Sequence, residues 1–203
     1  MKYIDLTMLL NEKTPVTPCN QKPVFEQSAV LAKDGFNDRT FTINSHLGTH
    51  VDFPYHMLEN GKSQNDFAIG DFIGTGRLID ARGQKNINAS LGGVQPGDIV
   101  LILTSHSKKA ACADYFDSAP VFTEEFVNEL VKKKIKMVGI DSWTPDFSPY
   151  ALHKILFSHG IPIIENLVNL EPLLNKEFKV FVAPLRLDSS DGAPARVFAE
   201  IKE

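Results

Sequence analysis

Residues 123–140 read TEEFVNELVKKKIKMVGI and residues 148–165 read SPYALHKILFSHGIPIIE. In the first stretch Thr123 stands as a helix N-cap, and Glu124 and Glu125 fall in a first turn whose free N–H groups favour negative charge. Phe126, Val127, Leu130 and Val131 recur at the spacing of one helical face, and Lys132, Lys133 and Lys134 close the last turn. The pattern predicts a helix to about Lys134, then a short apolar strand, Met137–Ile140. In the second stretch Ser148 reads as N-cap, Pro149 as the first helical position, Leu152, Ile155 and Leu156 as the buried stripe, and Gly160 as a left-handed C-cap. His153 then falls mid-helix, and a strand follows over Pro162–Glu165.

Outward from this core the signals are mostly β. Phe41–Ile43, Gly76–Ala81 and Ile99–Thr104 precede it, the last entered through the Pro96–Gly97–Asp98 turn, and Phe178–Leu185 and Arg196–Ile201 follow it. Thr14–Pro23, with three prolines, reads as an irregular surface segment. Many strands and few helices predict an α/β fold, one domain over residues 1–203, with a mixed sheet rather than a doubly wound one. The patterns do not encode strand order.

With 203 residues, 43% of them hydrophobic, the chain can bury a core without covalent staples. A net charge of −4, with Lys132–Lys134 the one basic run, gives no footprint for nucleic acid. Cys19 and Cys112, far apart, fit a reducing compartment better than a disulfide scaffold, so a cytoplasmic location is expected. Met1–Leu10 has neither a basic start nor a long apolar run, and no stretch approaches membrane-spanning length, so no membrane partner is expected.

The chemistry concentrates in residues 45–56, SHLGTHVDFPYH. His46, His50, Asp52 and His56 all sit at even positions, so in extended chain they share one side while Val51, Phe53 and Tyr55 face the other. Fully extended, His46 and His50 would lie about 13 Å apart, too far for one metal ion, so the chain must bend between them. Gly48 is placed to permit that bend, and Pro54 keeps Phe53 extended. Two imidazoles and a carboxylate suit Zn²⁺, Mn²⁺ or Fe²⁺ and leave coordination positions open for chemistry. Any one of these side chains is most simply a capping or solvated group. Three of the six histidines within eleven residues, beside an aspartate, form a cluster that surface solvation does not explain.

A second set lies in 148–165. His153 precedes Leu156 by three and Phe157 by four and so projects from the buried side, whereas His159 falls in the last turn, where a cation caps routinely. His153 is the candidate ligand. Glu165 ends an apolar strand, where a metal ion would compensate a carboxylate otherwise costly to bury. Asp141, Ser142, Trp143 and Asp146 read as solvated turn residues, and Asp188, Asp191 and Arg196 as a structural ion pair near a turn.

His46-x-Gly48-Thr49-His50-x-Asp52-x-Pro54-x-His56 resembles the signature H-x-G-T-H-x-D-x-P-x-H of the cyclase family of metal-dependent hydrolases, which includes bacterial kynurenine formamidases and isatin hydrolases. The resemblance extends to Gly160–Leu167 and Asp191–Arg196. It implies a swivelling β/β/α fold and homo-oligomers, dimers or tetramers. It also implies one or two divalent ions, Zn²⁺ or Mn²⁺, held by His46, His50, Asp52, His153 and Glu165, with Asp52 able to bridge. His56 is implied as the proton-transfer residue. The substrate implied is a small molecule, a formamide or cyclic amide cleaved at C–N by metal-activated water. A lactonase or isatin-type ring-opening enzyme, and a metal-binding protein without turnover, remain alternatives on the same scaffold. The chain departs from the formamidase branch at two places. Pro15–Val16–Thr17–Pro18–Cys19–Asn20 lacks the tryptophan of a P-x-W-P-G-D segment, which implies a missing aromatic wall, and Phe53 replaces a smaller residue.

Overall fold

The computed structural model describes residues 1–202. Its strands are β1 (Lys2–Asp5), β2 (Val24–Ala29), β3 (Asp38–Thr42), β4 (His50–Asp52), β5 (Ile73–Asp80), β6 (Asn86–Ile87), β7 (Ile99–Leu103), β8 (Val121–Phe122), β9 (Met137–Ile140), β10 (Ile163–Glu165), β11 (Phe178–Pro184) and β12 (Gly192–Ile201). Its α-helices are α1 (Leu31–Asp34), α2 (Glu124–Lys132) and α3 (Ala151–Ser158). The main sheet runs β1-β12-β11-β5-β7-β9-β10-β4, and β4 pairs back onto β12, so seven strands close into a barrel-like ring with β1 attached. Pairings from β5 through β7 and β9 to β10 are parallel and the others antiparallel, the mixed sheet expected of this α/β chain.

Closure depends on the length of β12. Its first residues pair with β4 and its last with β1, so two short strands share one edge end to end while β11 covers the other. Alternation along β7 shows how the sheet divides the core. Ile99, Leu101 and Leu103 enter the cluster enclosed by the ring, with Val51, Met137, Ile164 and Val197. Val100 and Ile102 enter the cluster under α2 and α3, with Phe126, Leu130, Val138, Leu156 and Ile163. All five β7 residues are buried, as a central parallel strand requires, which is why it reads as an unbroken apolar run.

Thr123 caps α2 by accepting from Phe126 N, as its position predicts, and Phe126, Val127 and Leu130 are its buried face. α3 corrects the reading of its start. It begins at Ala151, after the cis Ser148–Pro149 bond and a left-handed Tyr150. The N-terminal donor of Leu152 is met by Asp146 Oδ2 at 2.8 Å, not by Ser148. His153 therefore lies in the first turn of α3 rather than mid-helix, while Gly160 takes the expected left-handed conformation (φ +70°). The β signal at Phe41 is borne out by β3, Asp38–Thr42. This strand forms with β2 a two-stranded hairpin that pairs with no other strand of the described chain, so the Phe41 stretch is not part of the sheet that carries the histidines. Among the described residues no helix is long and apolar enough to cross a membrane.

Candidate metal and active site

β4 and β10 build the site by register. Glu165 lies directly opposite His50, and Ile163 opposite Asp52, while Val51 and Ile164 point into the enclosed core. His50, Asp52 and Glu165 thus share the face that α3 covers, and directly opposed residues on one face of a sheet meet side chain to side chain. His46 reaches them because Gly48 takes φ +59°, which turns the chain back and leaves the His46 and His50 ring centroids 5.0 Å apart. The bend expected at Gly48 is present. Its close counterpart on β12 is Gly192, where an added Cβ would fall 2.7 Å from His46 Cε1. His56 arrives differently from the alternation expected: the chain leaves extended geometry after Phe53 and carries His56 on a 3₁₀ turn begun by Pro54. The first turn of α3 adds His153.

Asp52 is the hub. Its Oδ1 lies 2.6 Å from His46 Nδ1 and 3.0 Å from His50 Nε2, and its Oδ2 lies 3.9 Å from His153 Nε2. Glu165 presents Oε2 at 3.5 Å to His50 Nε2 and Oε1 at 3.3 Å to His153 Nε2. Each buried histidine is oriented from behind. His50 Nδ1–H donates to the Gly48 carbonyl at 2.8 Å, and His153 Nδ1–H donates to Asp146 Oδ1, which turns both Nε2 atoms toward the carboxylates.

Two features test whether these residues fit a cation. Among the described residues His50 Nε2 is buried with no hydrogen-bond partner, although it faces two carboxylates, and His50, Asp52 and Glu165 bring ligand atoms within 4.8 Å of one another. The charges also need one. Burial would push the imidazoles down, but Asp52 outweighs it at His46, held at about 10, and at His50, while Asp146 and Glu165 hold His153 at about 10. Burial would raise Asp52, yet His50 and His46 keep it well below the carboxylate range, and Glu165 is pushed up by burial and by the Asp52 charge. Two buried carboxylates face one another and are compensated only by positive charge placed among them, which a divalent ion supplies in place of imidazole protons. The donor set fits such an ion.

Two participants were not read from the sequence. Asp191, placed there in a structural ion pair, accepts from His46 Nε2 at 2.9 Å and His56 Nδ1 at 3.2 Å, and these bonds hold its carboxyl far below its ordinary value. Arg196 instead pairs with Asp5 at 2.7 Å, and Asp188 accepts from Asn65. Asp146, read as a solvated turn residue, is buried behind His153. It stands four residues before the cap position, Tyr150, and the Ser148–Pro149 pair between them reads as a more obvious helix start. Asp141 and Ser142 are buried as well, Asp141 accepting from Thr104 N and Ser105 N, so neither is a solvated turn residue. His159 stays exposed and donates to the Ile155 carbonyl at 2.9 Å, the capping role expected of it.

The cluster forms the floor of a cavity of about 560 Å³. Pro15–Asn20 line one side without an aromatic ring, as the sequence implies, but Phe116, Trp143 and Tyr150 line it too, so an aromatic wall is present from other elements. Phe53 lies in the enclosed core against Phe67 and Phe72 and not in the cavity, so its bulk has no bearing on the substrate.

A family model described as "Putative cyclase" matches residues 4–147. The chain belongs to this cyclase family. The matched span contains His46, His50, Asp52 and His56; His153, Glu165 and Asp191 lie beyond it and are joined to the motif by the fold. Kynurenine formamidase of Bacillus cytotoxicus is 30% identical over 207 aligned positions, covering 96% of this chain and 95% of the relative. A solved structure described as a potential metal-dependent hydrolase with cyclase activity is 28% identical, with a TM-score of 0.85 over 100% of this chain and 98% of its own. Isatin hydrolase A from Labrenzia aggregata, 23% identical, shares the cyclase fold at a TM-score of 0.90 over 100% of this chain and 94% of its own.

Proposed function

We propose that this cyclase-family chain is a metal-dependent amidohydrolase that cleaves the C–N bond of a formamide or cyclic amide, with aryl formamides the favoured class. The observation that carries this reading is the buried, unpartnered His50 Nε2 facing Asp52 and Glu165 beneath an aromatic-lined cavity. His46, His50 and Asp52 would hold one Zn²⁺ or Mn²⁺ ion, and His153 and Glu165 a second, Asp52 turning one oxygen to each set. When bound, the cation polarises the scissile carbonyl and makes water a stronger acid at neutral pH.

His56 does the proton work. Its Nδ1–H is engaged by Asp191, so Nε2 carries the lone pair that takes a proton from water as the new C–O bond forms. The same nitrogen returns the proton to the departing nitrogen as C–N breaks, giving an acid and an amine. Trp143, Phe116 and Tyr150 offer faces for an aryl ring. A second copy of this chain is the partner this reading assigns. The β2–β3 hairpin exposes Val24, Leu31, Phe36 and Phe41, a two-stranded unit is marginal in water by itself, and a monomer by light scattering would refute the assignment.

Metal analysis of purified protein followed by a panel of aryl formamides, isatin-like amides and lactones tests the reading. The expected result is bound metal and preferential turnover of a formamide. Preferential lactone opening would move the substrate class, and a metal-loaded protein inert to the whole panel would leave a binding protein.

A further inference from the structure

Asn166 follows Glu165 at the end of β10 and lines the same cavity, yet it belongs to no ligand set. Its backbone is pinned on both sides. The N–H donates to Ser142 O at 2.7 Å, the carbonyl accepts from Thr49 Oγ1 at 2.6 Å, and φ is +54°, a left-handed value that asparagine tolerates better than most residues. Thr49 is itself fixed, accepting from Met8 N at 2.8 Å.

The side chain is fixed as well. Tyr115, 1% exposed and stacked on His106 with ring centroids 4.9 Å apart, places its hydroxyl 2.7 Å from Asn166 Oδ1. A buried phenol must donate its proton, and the only acceptor on a carboxamide is its oxygen, so this bond settles which edge of the amide faces Tyr115. The nitrogen edge is left over. Asn166 is 7% exposed, and among the described residues its Nδ2 makes no hydrogen bond. Two other buried or half-buried donors around the cavity are already used: Trp143 Nε1 donates to Phe116 O at 3.0 Å, and Thr144 Oγ1 to Asp146 O at 2.6 Å, whereas the donors of Tyr150 and Asn20 sit on exposed side chains.

We propose that Asn166 is a substrate-contacting residue, its Nδ2–H group donating to the oxygen of the scissile carbonyl and stabilising the negative charge that develops there, with Tyr115 and Thr49 as positioning residues. The inference rests on the amidohydrolase reading. A donor fixed before the substrate arrives needs no reorganisation as charge develops, and one such donor typically contributes a factor of roughly 10²–10³ in kcat.

The test uses the full, metal-loaded chain and an aryl formamide, with kcat, KM, metal content and melting temperature read together. Asn166→Gly suits the left-handed backbone and removes the carboxamide; Asn166→Asp keeps the shape and the acceptor for Tyr115 but removes the donor. Both should lose kcat by about 10²-fold while KM changes by no more than about 3-fold and metal content holds. Tyr115→Phe frees the amide to turn and should cost about 5-fold in kcat, again with full metal, as loss of one neutral hydrogen bond of about 1 kcal/mol allows. Wild-type kcat in Asn166→Gly, or activity lost in proportion to metal, overturns the proposal and leaves the amidohydrolase reading standing. Should the glycine variant fail to fold, Asn166→Asp carries the same comparison. A wild-type protein inert to formamides and cyclic amides would instead overturn the reading and the inference together.

Discussion

Asp146→Ala tests the architecture behind the proposed metal ligands, because one carboxylate there serves two purposes. Its Oδ2 accepts from Leu152 N at 2.8 Å and so caps the start of α3; its Oδ1 accepts from His153 Nδ1 and aims Nε2 toward Asp52 and Glu165. Loss of a helix N-cap costs about 1 kcal/mol. Loss of a hydrogen bond between a buried carboxylate and imidazole costs about 1.5–3 kcal/mol. The sum, about 2.5–4 kcal/mol, corresponds to a fall of roughly 5–16 °C in melting temperature for a chain of this size. Metal affinity should fall about 10- to 100-fold, the usual cost of freeing a ligand from its orienting partner.

Asp146→Asn separates the two roles, since an amide oxygen still caps Leu152. Its melting temperature should recover the share of the cap, about 1 kcal/mol or roughly 2–4 °C, while affinity for metal stays reduced. The assay is chelator-competition titration of the metal beside thermal unfolding of metal-free protein. An Asp146→Ala variant with wild-type affinity would refute the reasoning, because His153 would then be oriented by something other than the contact in the structure.

The other predictions concern the site and its surroundings. His50→Ala should abolish metal retention, whereas His56→Ala should keep most metal and lose about 10²–10⁴-fold in rate; equal metal loss in both would make His56 a ligand. Asp191→Asn weakens the partner of both His46 and His56, so metal affinity should fall and kcat should be lower even at saturating metal; an unchanged rate at saturating metal would remove Asp191 from proton transfer. Gly192→Ala places a Cβ 2.7 Å from His46 Cε1 and 3.1 Å from the Val51 carbonyl oxygen, so the imidazole must shift and metal affinity should fall by about 10-fold or more, with some loss of stability from the crowded β4 backbone. His106 donates Nε2–H to Tyr115 O, and burial holds its pKa below the ordinary value, so the stability it contributes is full above about pH 6.5 and is lost as pH falls through the folded value. Melting curves at pH 7 and pH 5 should therefore show the gap between wild type and His106→Gln narrowing in acid; a gap that widens contradicts the neutral imidazole.

What the sequence disclosed follows from the range of each interaction. His50 and Asp52 are two apart on one strand, so alternation alone puts them on one face, and Gly48 announces the bend that adds His46. α2 announces itself through Thr123 and its acidic first turn, and β7 through an apolar run too continuous for a half-exposed strand. Asp191 was hidden because its partners lie 145 and 135 positions away and its neighbours suggest only a turn. Asp146 was hidden by local chemistry that competed with it: Ser148–Pro149 is a better-looking helix start than the one the chain uses. Strand order was hidden for a third reason. The hydrophobic pattern of β12 says that one face is buried but is silent on which strands share its edge, and it is that edge which closes the ring.

Ring closure and site assembly are a single event at β4. Three residues make a poor strand alone, but β4 is held on one side by β10 and on the other by the start of β12. The first partner places Glu165 beside His50. The second sets Gly192 opposite Asp52 and Pro194 opposite His50, two residues with little or no side chain to crowd the ligand face, and brings Asp191 to the rim where His46 and His56 meet it. Three segments, around β4, β10 and the start of β12, are therefore all together only when the ring is shut. A cation held by His50, Asp52 and Glu165 would hold β4 against β10, and its binding energy would then add directly to the stability of the fold.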